Sequence, residues 1–196
     1  MNATSLAPSA QVQSLPQALA YEIDSSHSSA TFKVRHLMVS NVRGELGQIT
    51  GRVLIDESEL SRSSVEATID ATAINTRDEK RDAHLRSPDF FDTQTHPTIT
   101  FRSKRVQPGK GGNFTVTGDL TMRGVTKPVV FDAEFLGSSA VSIEGKSWGS
   151  KAGFSATTVV NRKDFGINWN KTLDNGGMMV GDDVTIVLNV EASKAQ

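Results

Sequence analysis

Apolar residues recur at every second position along much of the chain from Tyr21 onward. Alternation of this kind has the period of a β-strand that buries one face and exposes the other. In the first clear stretch, Phe32 and Val34 share one face and Lys33 lies on the opposite face. The pattern predicts strands at 30–36, 65–71, 114–120, 129–135, 152–158 and 184–190.

Segments rich in glycine or proline separate these strands. The stretches 107–112 (QPGKGG) and 145–153 (GKSWGSKAG) suit reversals between antiparallel neighbours, so consecutive strands are expected to pair. One helix is predicted at 76–85, with Thr76 as its N-cap and Glu79 as the capping-box partner. A shorter helical turn is also compatible with 36–41.

About eight one-faced strands with so little helix cannot all be covered by helices. They must close on themselves or pack as two sheets, and we favour closure into an all-β barrel. At about eight strands, the interior of a barrel is either just filled by side chains or leaves room for one small ligand. The pattern alone leaves both outcomes open.

The composition narrows the classes of function. With 196 residues, 37% of them apolar, the chain is suited to one domain with one core. Its 21 Lys and Arg residues are balanced by 22 Asp and Glu residues, without the basic excess of a nucleic-acid-binding protein. No apolar run reaches the length of a transmembrane helix, and the absence of cysteine excludes disulfides and thiolate ligands.

Residues 1–20 differ in character from the rest of the chain. They carry no charged side chain, are rich in Ser, Ala and Gln, and include Pro8 and Pro16. We expect a disordered leader, because the basic start and apolar run of a secretion signal are both missing. On that ground a cytoplasmic location is favoured.

Several short motifs follow one another along 21–192. They are 24–28 (DSSHS), 73–76 (AINT), 81–85 (RDAHL), 87–92 (SPDFFD), 97–101 (PTITF), 118–126 (GDLTMRGVT), 161–166 (NRKDFG) and 181–184 (GDDV). Together they resemble the YceI-like family of lipocalin-like barrel proteins, which is associated with binding polyisoprenoid lipids. The resemblance implies an eight-stranded antiparallel barrel at 21–192 with an elongated apolar tunnel, often dimeric, and a short tail at 193–196. Because this bacterial family is often exported, a periplasmic or secreted location also stays open.

The resemblance implies that the tunnel holds a polyisoprenoid, an isoprenoid quinone or a fatty-acid-like lipid, and that no other cofactor is bound. Each CH₂ group that leaves water contributes about 0.8 kcal/mol, so a prenyl tail can bind without a single hydrogen bond. Alternatively, the inward side chains contact one another and leave no void. The residues predicted to line the tunnel are Phe32, Val34, His36, Phe90, Phe91, Phe101, Val116, Leu120, Phe131, Phe135, Phe154, Trp169 and Ile186.

A lipid with a polar head group would also need a partner at one end of the tunnel. The candidates are Arg35, His36, Arg81 and Arg162, because a guanidinium can donate two hydrogen bonds to a phosphate at once. Structural roles compete with this hypothesis. Arg81 can pair with acidic neighbours on its helix, Arg162 can brace a turn, and His36 can be a hydrogen-bonded structural histidine.

No catalytic motif stands out. The four histidines do not form a short metal-ligand motif, and neither a nucleophile elbow nor a phosphate-binding loop occurs. We therefore predict a binding protein, not an enzyme, that transports or stores an amphiphilic small molecule, as a homodimer by family resemblance. One alternative is a stress-response or structural interaction protein with a filled barrel. The other is a lipid hydrolase with a serine or aspartate beside a histidine in the tunnel.

Overall fold

The computed structural model describes residues 18–195. Within them, ten antiparallel strands form one sheet, and a single α-helix, α1 (Glu79–Arg86), lies between the fifth and sixth strands. The predicted leader at 1–20 lies outside the described residues, apart from 18–20. The first strand begins within this stretch, at Leu19. The strands are β1 (Leu19–Ile23), β2 (Ser29–His36), β3 (Ser40–Gly47), β4 (Ile49–Ile55), β5 (Ser64–Asp70), β6 (Thr98–Pro108), β7 (Asn113–Met122), β8 (Val125–Ile143), β9 (Lys146–Asn161) and β10 (Val180–Lys194).

The sheet closes on itself. Its strands follow the order β1-β4-β5-β6-β7-β8-β9-β10, and β10 pairs again with β1. Strand β2 follows β1 in the sequence, and β3 precedes β4. In the sheet, β2 lies between β10 and β3. Ten strands therefore occupy eight positions around the barrel, and the predicted eight-stranded antiparallel barrel is confirmed.

Strands β1 and β2 together form one position of the barrel, and the long strand β10 pairs with both of them. Its first half pairs with β2, where Val184 lies opposite Val34, and its last residues pair with β1, where Lys194 lies opposite Tyr21. Strand pairing thus extends into 193–196, where the sequence predicted a tail. The DSSHS motif at 24–28 forms the connection between β1 and β2.

Strand β3 ends at Gly47, and only Gln48 separates it from β4. The backbone φ of Gly47 is +136°, and a Cβ atom there would lie 1.9 Å from the carbonyl oxygen of Asp70, so only glycine fits. After Gln48, β4 pairs with β5, whereas β3 makes an isolated bridge through Glu45 to Asn75. The segment that carries α1 therefore packs beside β3.

The helix α1 begins later than predicted. Its N-cap is Asp78, whose carboxylate accepts a hydrogen bond from the backbone N–H of Arg81 at 3.0 Å. Thr76 is not the cap, because its hydroxyl donates to the buried carboxylate of Asp82 at 2.5 Å instead of accepting a backbone N–H of the helix. Among residues 18–195, no helix has the length and apolar character needed to cross a bilayer.

Two further sequence expectations were wrong. Residues 36–41 form the hairpin turn between β2 and β3, not a helical turn. The stretch 145–153 is mostly strand, because β8 and β9 extend into a long hairpin that turns at Glu144 and Gly145, both with positive φ. The predicted reversal at 107–112 does connect β6 and β7.

Candidate ligand-binding cavities

The first cavity, cavity 1, occupies one end of the barrel and measures about 500 Å³. Its wall is formed by side chains from every barrel strand from β4 to β10, together with β1. Apolar residues dominate the wall, and exposed Glu57 and Ser138 lie where the cavity reaches the surface. The aromatic part of the wall consists of Tyr21, Phe101, Phe114, Phe131, Phe135 and Phe154.

The second cavity, cavity 2, measures about 460 Å³ and lies between the barrel, α1 and the loop that leads into β10. Its interior is also largely apolar. Its mouth is not, because the exposed residues Arg35, Asp78 and Lys80 form part of the lining.

The two cavities follow one another along β10. Val180 and Val184 line cavity 2, and Leu188 and Val190 line cavity 1, while Ile186 lines both. Leu46 on β3 also lines both cavities, and like Ile186 it is buried. The interior is therefore divided into two adjoining chambers that meet at these two side chains.

Every residue predicted to line a tunnel lies on one of the two walls. Phe32, Val34, His36, Phe90, Phe91 and Trp169 line cavity 2. Phe101, Val116, Leu120, Phe131, Phe135 and Phe154 line cavity 1, and Ile186 lines both. Their contact with a ligand stays a prediction.

Sequence reasoning missed the contribution of β1, β3 and β4 to the wall. Leu46, Ile49, Val53 and Ile55 all line cavity 1. The signal was present, because Ile49, Val53 and Ile55 keep the period of two, but Gly51 interrupts the apolar pattern between them.

Three rings close the inner side of the mouth of cavity 2. The imidazole of His84 meets Phe90 and Trp169 edge to face, with centroids 5.0 and 4.7 Å away. The Phe90 and Trp169 rings lie 5.3 Å apart, and the Nε2 of His84 lies 2.8 Å from a carboxylate oxygen of Asp89. The neighbouring Phe91 is half-buried and lines the same cavity. This cluster joins α1 to the loop before β10.

Of the two roles that the sequence left open for Arg162, its contacts favour bracing over binding a head group. Only 3% of the residue is exposed, and its five N–H groups face four backbone carbonyls and one carboxylate oxygen of Asp182. Burial lowers the pKa of the guanidinium, and Asp182 partly opposes that effect. With its donors occupied, Arg162 braces the loop before β10 and is not a free partner for a head group. The carbonyls belong to Ile167, Trp169, Val180 and Gly181.

The other predicted cations retain unused donors. Arg81 donates from Nε to the hydroxyl of Thr76 at 2.6 Å and from Nη2 to the carbonyl oxygen of Thr76 at 2.9 Å. Its Nη1 lies 4.0 Å from a carboxylate oxygen of Asp78. Arg35 makes one hydrogen bond within residues 18–195, from Nη2 to the carbonyl of Met38, and the His36 ring makes none there. All three side chains line the mouth of cavity 2.

The hydroxyl groups and the histidines line different cavities. In the described part of the chain, Ser63, Ser64, Thr100, Ser138 and Ser155 line cavity 1, whose wall has no histidine. Cavity 2 has His36 and His84, and its described wall has no serine or threonine. Within the described walls, no serine or threonine therefore shares a cavity with a histidine that could activate it, whereas Asp78 lines cavity 2 together with both histidines.

The DSSHS motif forms a cluster of charges on the outer surface. The Asp24 carboxylate accepts hydrogen bonds from the hydroxyl of Ser26 at 2.6 Å and from Lys151 at 3.3 Å, and lies 3.1 Å from Nδ1 of His27. These hydrogen bonds, that of Ser26 foremost, hold the pKa of Asp24 well below its usual range. Burial opposes the charge of Lys151, but hydrogen bonds to Asp24 and Glu191 outweigh it and raise its pKa. The ammonium of Lys151 thus supplies the cation for this cluster, which ties the β1–β2 connection to β9 and β10.

A closed barrel of eight antiparallel strands with two apolar internal cavities defines a lipocalin-like barrel protein. The chain belongs to the YceI-like family, because the family model described as "YceI-like domain" matches residues 21–192. UPF0312 proteins of Staphylococcus aureus are 40% identical to it over 173 residues, which is 88% of this chain and 96% of theirs.

Solved structures agree with this assignment. The YCEI protein of Campylobacter jejuni is 30% identical, with a TM-score of 0.67 over 82% of this chain and 90% of that one. BcnA of Burkholderia cenocepacia is 22% identical, with a TM-score of 0.75 over 87% of this chain and 99% of that one. A polyisoprenoid binding domain of Saccharophagus degradans is 13% identical, with a TM-score of 0.63 over 90% and 99%. At these lower identities the last two likenesses concern the fold.

Proposed function

We propose that this protein binds one long-chain amphiphile, a polyisoprenoid or a lipid of similar shape, with its apolar tail inside the barrel. The observation that carries the proposal is the pair of adjoining apolar cavities, of about 500 and 460 Å³, inside a closed barrel. A protein of this size ordinarily fills its core with side chains, and empty apolar volume of this extent is expensive. A hydrocarbon guest would fill that volume.

The volumes and the energetics agree with such a guest. Each cavity falls in the range of about 300–1,000 Å³ that is usual for small-molecule sites. Ten CH₂ groups transferred from water contribute roughly 8 kcal/mol before the cost of immobilising the chain is subtracted. Binding in the micromolar range is therefore within reach of the tail alone.

The polar groups suggest the direction in which the amphiphile lies. The mouth of cavity 2 holds Arg35, His36 and Arg81 with unused donors, whereas Glu57 is the one charged residue in the described lining of cavity 1. We place an anionic or strongly accepting head group at the mouth of cavity 2 and the tail toward cavity 1. The YceI-like family and the fold shared with a polyisoprenoid binding domain support a lipid of this kind.

Native mass spectrometry of freshly purified protein, followed by organic extraction of the same sample, tests the proposal. We expect an adduct of several hundred daltons or more, on the order of one molecule of a long prenyl lipid, that extraction releases intact. Protein that carries no adduct, and takes none up from polyprenol or quinone solubilised in mild detergent, would refute the proposal. Recovery of a cleaved lipid would instead favour the hydrolase alternative. The same spectrum reports whether the protein is the homodimer that the family resemblance implies.

A double variant tests the position of the head group. Arg81→Gln together with His36→Gln should weaken binding of a prenyl phosphate about tenfold or more while changing the binding of the uncharged prenol little, because only the phosphate loses charge-assisted hydrogen bonds. Lys104→Gln, on the outer face of β6 and paired with Asp119, is the control and should change neither affinity. Equal loss for phosphate and prenol would place the head group elsewhere.

A further inference from the structure

Large apolar side chains are exposed beside the mouth of cavity 2. In the turn between β2 and β3, Met38 is 44% exposed and Val39 is 78% exposed, and Met178 in the loop before β10 is 37% exposed. The backbone N–H of Leu37 donates to the carbonyl of Met179 at 2.8 Å, so the turn and the loop form one surface. We call Leu37, Met38, Val39 and Met178 the mouth rim. Met179, adjacent to it, lines cavity 2.

The backbone of the mouth rim is unfavourable for the residues it carries. Leu37 and Met38 have φ of 51° and 60°, and the N–H of Val39 donates to the carbonyl of His36 at 3.1 Å across the turn. Hairpin turns with two positive φ angles strongly favour asparagine and glycine. Leucine and methionine are strained there, and the exposed side chains of Met38 and Val39 gain little from packing within the chain. Backbone strain of this kind is retained mainly at functional sites.

The mouth of cavity 2 also carries an excess of positive charge. Of its exposed or half-exposed charged lining residues, Arg35, Lys80 and Arg81 are basic and Asp78 is acidic. Arg81 is partly neutralised by Asp78 at 4.0 Å. Cavity 1, at the other end of the barrel, has the single charged lining residue Glu57 within the described chain. A basic surface with exposed apolar residues at its centre fits an anionic bilayer, since the apolar groups enter the interface and the cations face the head groups.

We propose that the mouth rim docks on the surface of an anionic membrane and turns the opening of cavity 2 toward the lipid from which the amphiphile comes. This inference rests on the proposed function, because the docked surface surrounds the cavity that would take up the ligand. The inference adds that the membrane is the source of the ligand and that the ligand enters the barrel through the opening of cavity 2.

Sedimentation with vesicles tests the docking, using phosphatidylcholine vesicles with and without phosphatidylglycerol. We expect the protein to sediment with the anionic vesicles, and salt to weaken the binding. Met38→Asn combined with Val39→Asp should lower the partition constant about tenfold or more, because it removes apolar contact and adds a negative charge. The substitution Met38→Asn suits the positive φ of the turn, so the fold is retained. Leu136→Asp, at a residue 59% exposed on the β8–β9 hairpin, is the matched control and should bind like wild type.

Binding of a dansyl-labelled farnesyl chain in solution separates this inference from the proposed function. If the wild type binds the farnesyl probe but not anionic vesicles, the docking inference fails and the proposed function stands. If it binds vesicles but not the probe, the docking surface is supported and the proposed function fails. Loss of vesicle binding in Leu136→Asp alone would move the docking face to the other end and overturn the inference. A change from dimer to monomer in the rim variant would overturn it too, because the rim would then be an interface between two copies.

Discussion

Arg162 illustrates how a single buried cation can organise a loop. Its N–H groups bind the carbonyls of Ile167 and Trp169, which lie early in the loop before β10, and those of Val180 and Gly181, which begin β10. Arg162→Met would leave several buried carbonyls without a donor, at about 1–3 kcal/mol each in the least relaxed case. We expect the free energy of unfolding, measured by urea titration, to fall by roughly 3 kcal/mol or more.

Arg162→Lys is the informative comparison. It keeps the charge but has three donors on one nitrogen in place of the planar fork, so it should recover only part of the lost stability. If Arg162→Met unfolded at the same urea concentration as the wild type, the bracing role would be wrong.

The contribution of Asp24 to the stability of the folded protein depends on pH. Its pKa in the folded protein is below the value of 3.8 that applies to the unfolded chain, so its contribution is fully present above that value. The contribution is lost as the pH falls through the folded-state pKa. Asp24→Asn should therefore lower the melting temperature at neutral pH, and the difference from wild type should shrink as the pH falls below 3.8.

Thermal unfolding followed by circular dichroism between neutral and strongly acidic pH measures this difference. Asp132→Asn, an exposed residue on β8 that has no ion pair within residues 18–195, is the control and should parallel the wild type. A gap between Asp24→Asn and wild type that stayed constant across the pH range would contradict the linkage to the Asp24 carboxylate.

At the scale of elements, β3 passes unusually close to the segment that leads into α1. A Cβ atom at Gly44 would lie 2.6 Å from Cγ2 of Thr76, 2.7 Å from the Phe32 ring and 2.8 Å from the carbonyl oxygen of Asn75. Gly44→Ala should lower the free energy of unfolding by about 1–3 kcal/mol, since one of these neighbours is backbone and cannot rotate away.

Gly153→Ala is the matched control for that strand substitution. Its new Cβ would meet Leu136 at 3.5 Å, which is an ordinary contact, so its stability should equal or slightly exceed that of the wild type. Denaturant titration of both variants compares them directly. Equal stability of Gly44→Ala and wild type would mean that β3 and the 75–76 segment separate at little cost.

The elements that the sequence predicted are those with long, uninterrupted alternation. Strands β2, β5, β7, β8, β9 and β10 each contain a predicted stretch, because one face of each meets the barrel interior. Strands β3 and β4 were not predicted as strands, since Gly44, Gly47 and Gly51 interrupt their apolar pattern. The start of β9 beside the tip of the β8–β9 hairpin was taken for a turn because glycine and serine are frequent there, and strand pairing overrides that composition.

At the scale of the whole molecule, the sequence predicted the wall of the interior but not its division. Alternation identifies inward side chains strand by strand, and the wall of each cavity contains them. The division depends on Leu46, which comes from β3, and on α1, which covers cavity 2. The bracing role of Arg162 was one of two alternatives in the sequence, because its partners come from residues that only the folded chain brings together.

The junction between the cavities makes a prediction about ligand length. If one chain spans both cavities, a bulky residue at Leu46 should confine the ligand to cavity 2. Leu46→Trp would then exclude on the order of four CH₂ groups from the barrel, roughly 3 kcal/mol or about a hundredfold in Kd for a long prenyl chain. A short geranyl chain, which fits in one cavity, should bind with nearly unchanged affinity, and this also reports that the variant is folded.

Val187→Trp, on the same strand as Ile186 but outside both cavity walls, is the control and should change the affinity for neither chain. Titration of both chain lengths by tryptophan fluorescence or calorimetry measures the contrast, and an equal loss for short and long chains would show that the two cavities do not hold one ligand.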